Sequence, residues 1–221
     1  MSGRLSLRAV YERLRAEYGG QQWWPAETPF EVMVGAVLTQ NTAWTNVERA
    51  IANLRQARAL DPEAIVRAPQ ERLAEWIRPS GYFNVKTERL KGLCVWYLEQ
   101  GGHAWLQGWP TAELRAALLA VKGVGPETAD DIVLYAFHRP VFVVDTYTKR
   151  LFERLGLLEA GLGYDAVQQR FHQELGRGDE AVPLFNEYHA LIVEHGKNRC
   201  RKRPLCEGCD LQRDCPSAGQ L

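Results

Sequence analysis

The sequence predicts an all-α chain, and three observations carry that prediction. Apolar residues recur three and four positions apart through most of the 221 residues, the spacing that lines one face of a helix. No stretch alternates apolar with polar residues as a half-buried strand would. Glycine and proline fall between the periodic stretches, where helices begin and end. A chain of this length can bury a sizeable core, as one large domain or as two small lobes.

Taken in order, Leu5, Leu7, Val10, Leu14 and Tyr18 fit one face of a first helix, stopped by Gly19-Gly20. Trp23-Trp24-Pro25 follows in a loop, then a long apolar helix that Gln40 and Asn41 interrupt, with Trp44 just beyond. Paired tryptophans in a loop either plug a junction or offer a surface on which a base removed from a duplex can stack. Gln40 and Asn41 are either a solvated helix end or side chains that fill the gap such a base leaves. Ser80-Gly81 marks a turn, and Tyr82 after it reads as a surface aromatic. Arg89, Leu90, Leu93, Cys94 and Tyr97 continue as an amphipathic helix in which Cys94 is a small buried hydrophobe, not a ligand.

Thr111 is read as the N-cap of the next helix, with Leu114, Leu118 and Val121 on its apolar face, and Gly123-Val124-Gly125 breaks it. Pro126 suits a first helical turn, and Ile132, Val133, Ala136 and Phe137 line the helix that follows. The product is a helix, a tight hairpin and a helix. Glycines let backbone N–H groups converge on an anion at a helix start, so this turn can hold one DNA phosphate without reading sequence. An ordinary αα-hairpin is the other reading. The apolar run Phe142-Val143-Val144 ends at Asp145, where a helix to about Leu155 begins, so Asp145 is an N-cap, a functional carboxylate, or both. A glycine-rich loop at 161–163 precedes a helix through Val167 and Phe171. The last helix starts near Pro183, with Leu184, Tyr188, Ile192 and Val193 facing inward, His195 gaining from the helix dipole, and Gly196 ending it.

Formal net charge is zero, which argues against a nucleic-acid binder held by gross electrostatics. Yet Lys197, Arg199, Arg201, Lys202 and Arg203 crowd into seven residues. The charged N-terminus lacks the apolar core of a signal peptide, and no stretch approaches the ~20 apolar residues of a membrane span. No membrane partner and a cytoplasmic location are expected, nucleoid-associated in a bacterium. Cys200, Cys206, Cys209 and Cys215 give C-x5-C-x2-C-x5-C. In a reducing compartment that set suggests metal, and spacing alone does not choose between zinc and iron-sulfur.

The stretch 121–145, with its GVG turn, following helix and aspartate, resembles the helix-hairpin-helix, Gly/Pro, Asp DNA glycosylases, whose best-known branch is endonuclease III. WWP, LTQNT and RPSGYFNVKTERLK are similar to the 3-methyladenine DNA glycosylase branch, and endonuclease III carries an aspartate where Trp44 stands. The resemblance implies two lobes. A six-helix lobe spans 28–140 with the hairpin at about 112–137, and a second lobe combines 1–27 and 141–221, with DNA across the cleft. It makes Asp145 the catalytic carboxylate and Lys122, Gly123, Val124 and Gly125 the phosphate clamp. Asn41, with Gln40 beside it, fills the gap, Tyr82 enters the duplex, and Trp23, Trp24 and Trp44 form the base pocket. The family's C-x6-C-x2-C-x5-C set holds a 4Fe-4S cluster, so the loop 200–215 implies one here with its first gap a residue short, zinc being the alternative. Pinned by that cluster, Lys197, Arg201, Lys202 and Arg203 face phosphates.

In endonuclease III a lysine two residues after the second hairpin glycine attacks the sugar; here that place holds Glu127. A carboxylate cannot form an imine. The expectation is therefore a monomeric, monofunctional glycosylase that removes alkylated purines from damaged double-stranded DNA, with Lys122 and Lys197 as the other amines near the motifs. Two alternatives stay open: a bifunctional glycosylase and AP lyase acting on oxidised pyrimidines, and a DNA-binding damage sensor with a degenerate site.

Overall fold

The structure is a computed structural model that describes residues 5–220; residues 1–4 and 221, part of the expected second lobe, lie outside the described residues. The described residues form twelve α-helices and no strand: α1 (Leu7–Tyr18), α2 (Pro29–Leu38), α3 (Trp44–Gln56), α4 (Pro62–Arg67), α5 (Gln70–Ile77), α6 (Phe83–Glu99), α7 (Gly102–Leu106), α8 (Thr111–Ala120), α9 (Pro126–Asp131), α10 (Thr146–Arg154), α11 (Tyr164–Leu175) and α12 (Val182–Asn198). The all-α class is borne out. Two compact units divide the chain, Ala26–Arg139 and Met1–Pro25 with Pro140–Leu221.

The central unit is built on α2. Thr28 caps it by accepting from the Glu31 amide, Pro29 occupies its first turn, and every residue from Phe30 to Leu38 is buried. A helix apolar all round belongs inside a bundle, and α2 packs against α3, α6, α9 and the segment after α9. Glu31, its one buried charge, is neutralised by Arg55 Nη2, 2.9 Å from both carboxylate oxygens. The apolar helix ends at Leu38, and Gln40 and Asn41, which interrupt the apolar run, fall in the turn before α3, where Asn41 takes φ +52°. Pro110 precedes α8 in extended conformation, and its carbonyl accepts from Leu114 N, so Thr111 is the first helical residue rather than the cap. After α9 the chain widens into a π-helical segment, Ile132–Ala136, whose side chains are all buried.

The unit formed by the two chain ends has an aromatic core. Phe142 stacks on Phe171 with centroids 4.0 Å apart and meets Phe185 edge-on at 5.3 Å. Tyr188, fully buried, donates its hydroxyl to the Leu7 carbonyl at 2.6 Å and so ties α12 to the start of α1. The apolar run before Asp145 is extended without being a strand, because side chains satisfy its backbone. His172 Nε2 accepts from Phe142 N at 3.0 Å, and Gln168 donates to Phe142 O at 2.7 Å.

The last helix differs from its sequence reading in three ways. Its inner face is Phe185, Tyr188, His189, Leu191 and Ile192, whereas Leu184 and Val193 are only half-buried. It runs on to Asn198, so Gly196 does not end it. A Cβ at Gly196 would sit 2.9 Å from Tyr147 Cγ, so the glycine is there to let α10 approach. His195 is 1 % exposed, and burial lowers its pKa to about 4, which leaves it neutral rather than a charged dipole cap.

Candidate functional site

In the central unit, α8, Gly123-Val124-Gly125 and α9 form the expected hairpin. Gly123 has φ +90°, and a Cβ there would lie 2.8 Å from Arg89 Cδ, so both backbone angle and space require glycine. Gly125 stands at the N-cap of α9 without a side-chain cap, which leaves the first-turn N–H groups to an outside acceptor. Lys122 is exposed beside it. Of the three carboxylates behind the turn, Glu127 is exposed in the first helical turn, while Asp130 and Asp131 are buried. Asp130 grips Arg115 through two hydrogen bonds, of 2.6 and 3.0 Å.

Gln40 is committed to this hairpin. Its amide nitrogen donates to Gly123 O at 3.1 Å and to Thr128 Oγ1 at 2.9 Å, and its oxygen accepts from Arg89. Asn41 next to it is exposed. Tyr82, 72 % exposed with φ +45°, leads into α6. Trp44 is the first residue of α3, half-buried, and its Nε1 donates to Glu48 Oε1 at 3.0 Å.

In the other unit, Asp145 caps α10: its Oδ1 accepts from Thr148 N at 2.7 Å and Thr148 Oγ1 at 2.8 Å. Its Oδ2 lies 3.7 Å from Nε2 of His189, a residue of α12, and both side chains are more than nine-tenths buried. Burial pushes the Asp145 carboxyl up, but His189, by contact and by charge, and the two Thr148 donors outweigh it and hold the pKa below the usual 3.8. Sequence reasoning misses His189, because within YHALIVEHG a single polar residue on a buried face carries no periodic signal. Trp23 and Trp24, both half-buried, lie in this unit with centroids 5.2 Å apart and tilted by 49°.

All four C-terminal cysteines line one cavity, together with Arg154, His195 and Leu205 among others. None is paired in a disulfide. Among the described residues no three His, Cys, Asp or Glu side chains converge as a single bound ion requires. Burial pushes the Cys209 and Cys215 thiols up, so they stay protonated until a cation displaces the proton. Helix α10 cradles this loop: Arg150 Nε donates to Cys200 O at 2.8 Å, and Arg154 donates to Arg201 O at 2.6 Å, Lys202 O at 3.1 Å and Cys200 Sγ at 3.3 Å. Lys197, Arg201, Lys202 and Arg203 are all exposed around it. Cys94 is fully buried in α6, and burial raises its thiol to about 12.

Residues 34–176 match the family described as HhH-GPD superfamily base excision DNA repair protein. A candidate DNA repair glycosylase of Methanocaldococcus jannaschii is 46% identical over 211 residues, 94% of each chain. The crystal structure of the H. pylori 3-methyladenine DNA glycosylase bound to 1,N6-ethenoadenine superposes with a TM-score of 0.76 at 29% identity, covering 87% of this chain and 98% of that one. A non-covalent endonuclease III–DNA complex shares the fold, with a TM-score of 0.83 at 22% identity over 98% of both chains.

Proposed function

Because the chain belongs to the HhH-GPD superfamily and is a DNA repair glycosylase of that family, we propose that it hydrolyses the N-glycosidic bond of a flipped, alkylated purine without bonding to the sugar. The observation that carries this reading is the Asp145 carboxylate, buried yet held ionised by His189 and Thr148. As the C1′–N bond breaks, positive charge gathers on the sugar, and a fixed anion in a low-dielectric setting stabilises it. A carboxylate with a depressed pKa is a weak base, so its part is charge stabilisation and the orientation of a water. The water oxygen bonds to C1′, one proton is released, and the alkylated base leaves neutral. With Oδ1 occupied by Thr148, Oδ2 is the oxygen that acts. Glu127 supplies no amine for the lyase route.

In this reading Lys122 and the Gly123–Gly125 turn grip one phosphate, Asn41 fills the vacated stack and Tyr82 enters the duplex. Gln40 supports the turn rather than the gap, because its amide is already bonded to the hairpin. Trp23, Trp24 and Trp44 are assigned to recognition of the base. An alkylated purine such as 3-methyladenine is cationic before release, so stacking and cation–π attraction of roughly 0.5–2 kcal/mol per ring suffice to select it. We assign the enzyme a monomeric state and a cytoplasmic setting; no helix among the described residues is long and apolar enough to cross a membrane.

Cys200, Cys206, Cys209 and Cys215, four thiols on one cavity, would hold a 4Fe-4S cluster, with zinc as the alternative that the same donor set accepts. Four-cysteine ligation leaves no open position, so such a group supplies a cross-link or a redox-sensing centre. Around it Arg150 and Arg154 hold the loop backbone that presents Arg201, Lys202 and Arg203 to phosphates.

The test is release of free base from duplexes carrying alkylated purines, thymine glycol or an abasic site. Release confined to the alkylated duplexes supports the reading. Release of thymine glycol with spontaneous strand cleavage would instead make it a bifunctional pyrimidine enzyme, and binding without release a sensor. Trp44→Ala is expected to lower alkylbase release by about tenfold or more, with affinity for undamaged duplex kept within about twofold. Unchanged release would remove Trp44 from the pocket.

A further inference from the structure

Lys86, in α6, is 1 % exposed, and a fully buried ammonium needs a reason. Its Nζ donates to Leu38 O at 2.7 Å, Thr42 Oγ1 at 2.9 Å and Ser80 O at 2.7 Å, which uses all three of its protons. Leu38 O is one of the orphan carbonyls at the end of α2, and Thr42 lies four residues on in the same turn. Ser80 belongs to a different turn, and Thr42 Oγ1 also donates to its carbonyl. Between these anchors the chain presents Asn41 on one turn and Tyr82 on the other, both exposed and both at positive φ. Three residues further along α6, Arg89 donates to Gln40, which in turn holds Gly123 O and Thr128.

We infer that Lys86 is a positioning residue that locks the Asn41 turn and the Tyr82 turn into one pre-set surface, so that gap-filling and duplex entry happen together when the base is extruded. The inference rests on the glycosylase reading above. A buried cation holding three acceptors fixes both backbones at once, which a hydrophobic contact does not, since apolar packing sets distance without direction. Burial, and then Arg89, lower the Lys86 pKa to about 8, so near neutral pH the ammonium keeps all three donors. The Gln40–Arg89 link extends the same frame to the phosphate-binding hairpin, leaving three turns that move as a unit rather than as separate loops.

Two variants test this. Thr42→Val keeps the shape of the side chain and leaves Lys86 its two carbonyls; Lys86→Met removes the cation. Each is compared with wild type on a duplex carrying 2-aminopurine beside a stable abasic-site analogue, and in single-turnover release of an alkylated base. The wild type is expected to raise 2-aminopurine fluorescence on binding by unstacking it. Both variants should show a weaker rise and about tenfold slower release, the scale of a small misplacement in a reacting assembly. Affinity for undamaged duplex should stay within about twofold, because phosphate binding carries it. A folded Lys86→Met with wild-type fluorescence and release overturns the inference; if that variant does not fold, the same result for Thr42→Val does so. If the wild type itself neither unstacks the probe nor releases base, the glycosylase reading falls and takes the inference with it.

Discussion

Asp145→Asn is expected to slow base release by on the order of 10²–10³-fold, the range for loss of one preorganised electrostatic stabiliser at the reacting centre, with the protein still folded. The fold should survive because asparagine caps a helix about as well as aspartate. Its side-chain oxygen can still accept from Thr148 N and Oγ1, the two donors that Asp145 Oδ1 now serves. What disappears is the charge at Oδ2. A circular dichroism melt beside a single-turnover assay separates the two effects: a native melt with release at the wild-type rate would remove Asp145 from the chemistry. The acid limb of the pH profile gives a second check. Since the folded pKa of Asp145 lies below 3.8, the carboxylate is ionised at any higher pH. Its contributions to activity and to stability are present above that ordinary value and vanish as pH falls through the lower, folded one.

Cys206→Ser should have the next largest effect. With one of the four proposed ligands gone, the visible absorbance and the iron content of the purified protein are expected to fall together, and the melting temperature by about 10 °C, since a lost cross-link of roughly 3 kcal/mol costs a chain of this size roughly 2–4 °C per kcal/mol. The basic loop would then keep the hydrogen bonds from Arg150 and Arg154 but lose its cross-link. DNA affinity should weaken, with the salt dependence shallower by about 0.9 in log–log slope for each phosphate that the loop no longer neutralises. Cys94→Ala is the control: buried in α6, far along the chain from the cavity, it should keep the full absorbance. An unchanged spectrum in Cys206→Ser would contradict the ligand assignment, and stoichiometric zinc without iron in the wild type would turn it to the alternative.

The parts of this molecule that the sequence discloses are those written in local spacing and punctuation. The GVG turn with Pro126 behind it marks the hairpin, the apolar run ending at Asp145 marks a helix start, and the cysteine spacing marks one loop. What stays hidden depends on where side chains point across long separations. Gln40 reads as a polar residue at a helix end, but its partners Gly123 and Thr128 are 83 and 88 residues away. Lys86 looks like one more surface lysine until α6 turns it inward onto two carbonyls. His189 meets Asp145 only because α12 returns to α10, and Gly196 reads as a helix end when it is the gap that lets Tyr147 in. Hydrophobicity alone puts Leu184 and Val193 on the inner face of α12 beside Tyr188 and Ile192; the aromatic core keeps the latter two but takes Phe185 and Leu191 in place of the others.

The central claim is that the base leaves by hydrolysis, with no bond between protein and sugar. Borohydride added while the wild type turns over an alkylated duplex tests it most directly. The expected result is free base, no protein–DNA adduct, and a strand that breaks only in hot alkali, because in the proposed reading Glu127 takes the place of an attacking amine. A covalent adduct accumulating in step with base release would contradict it.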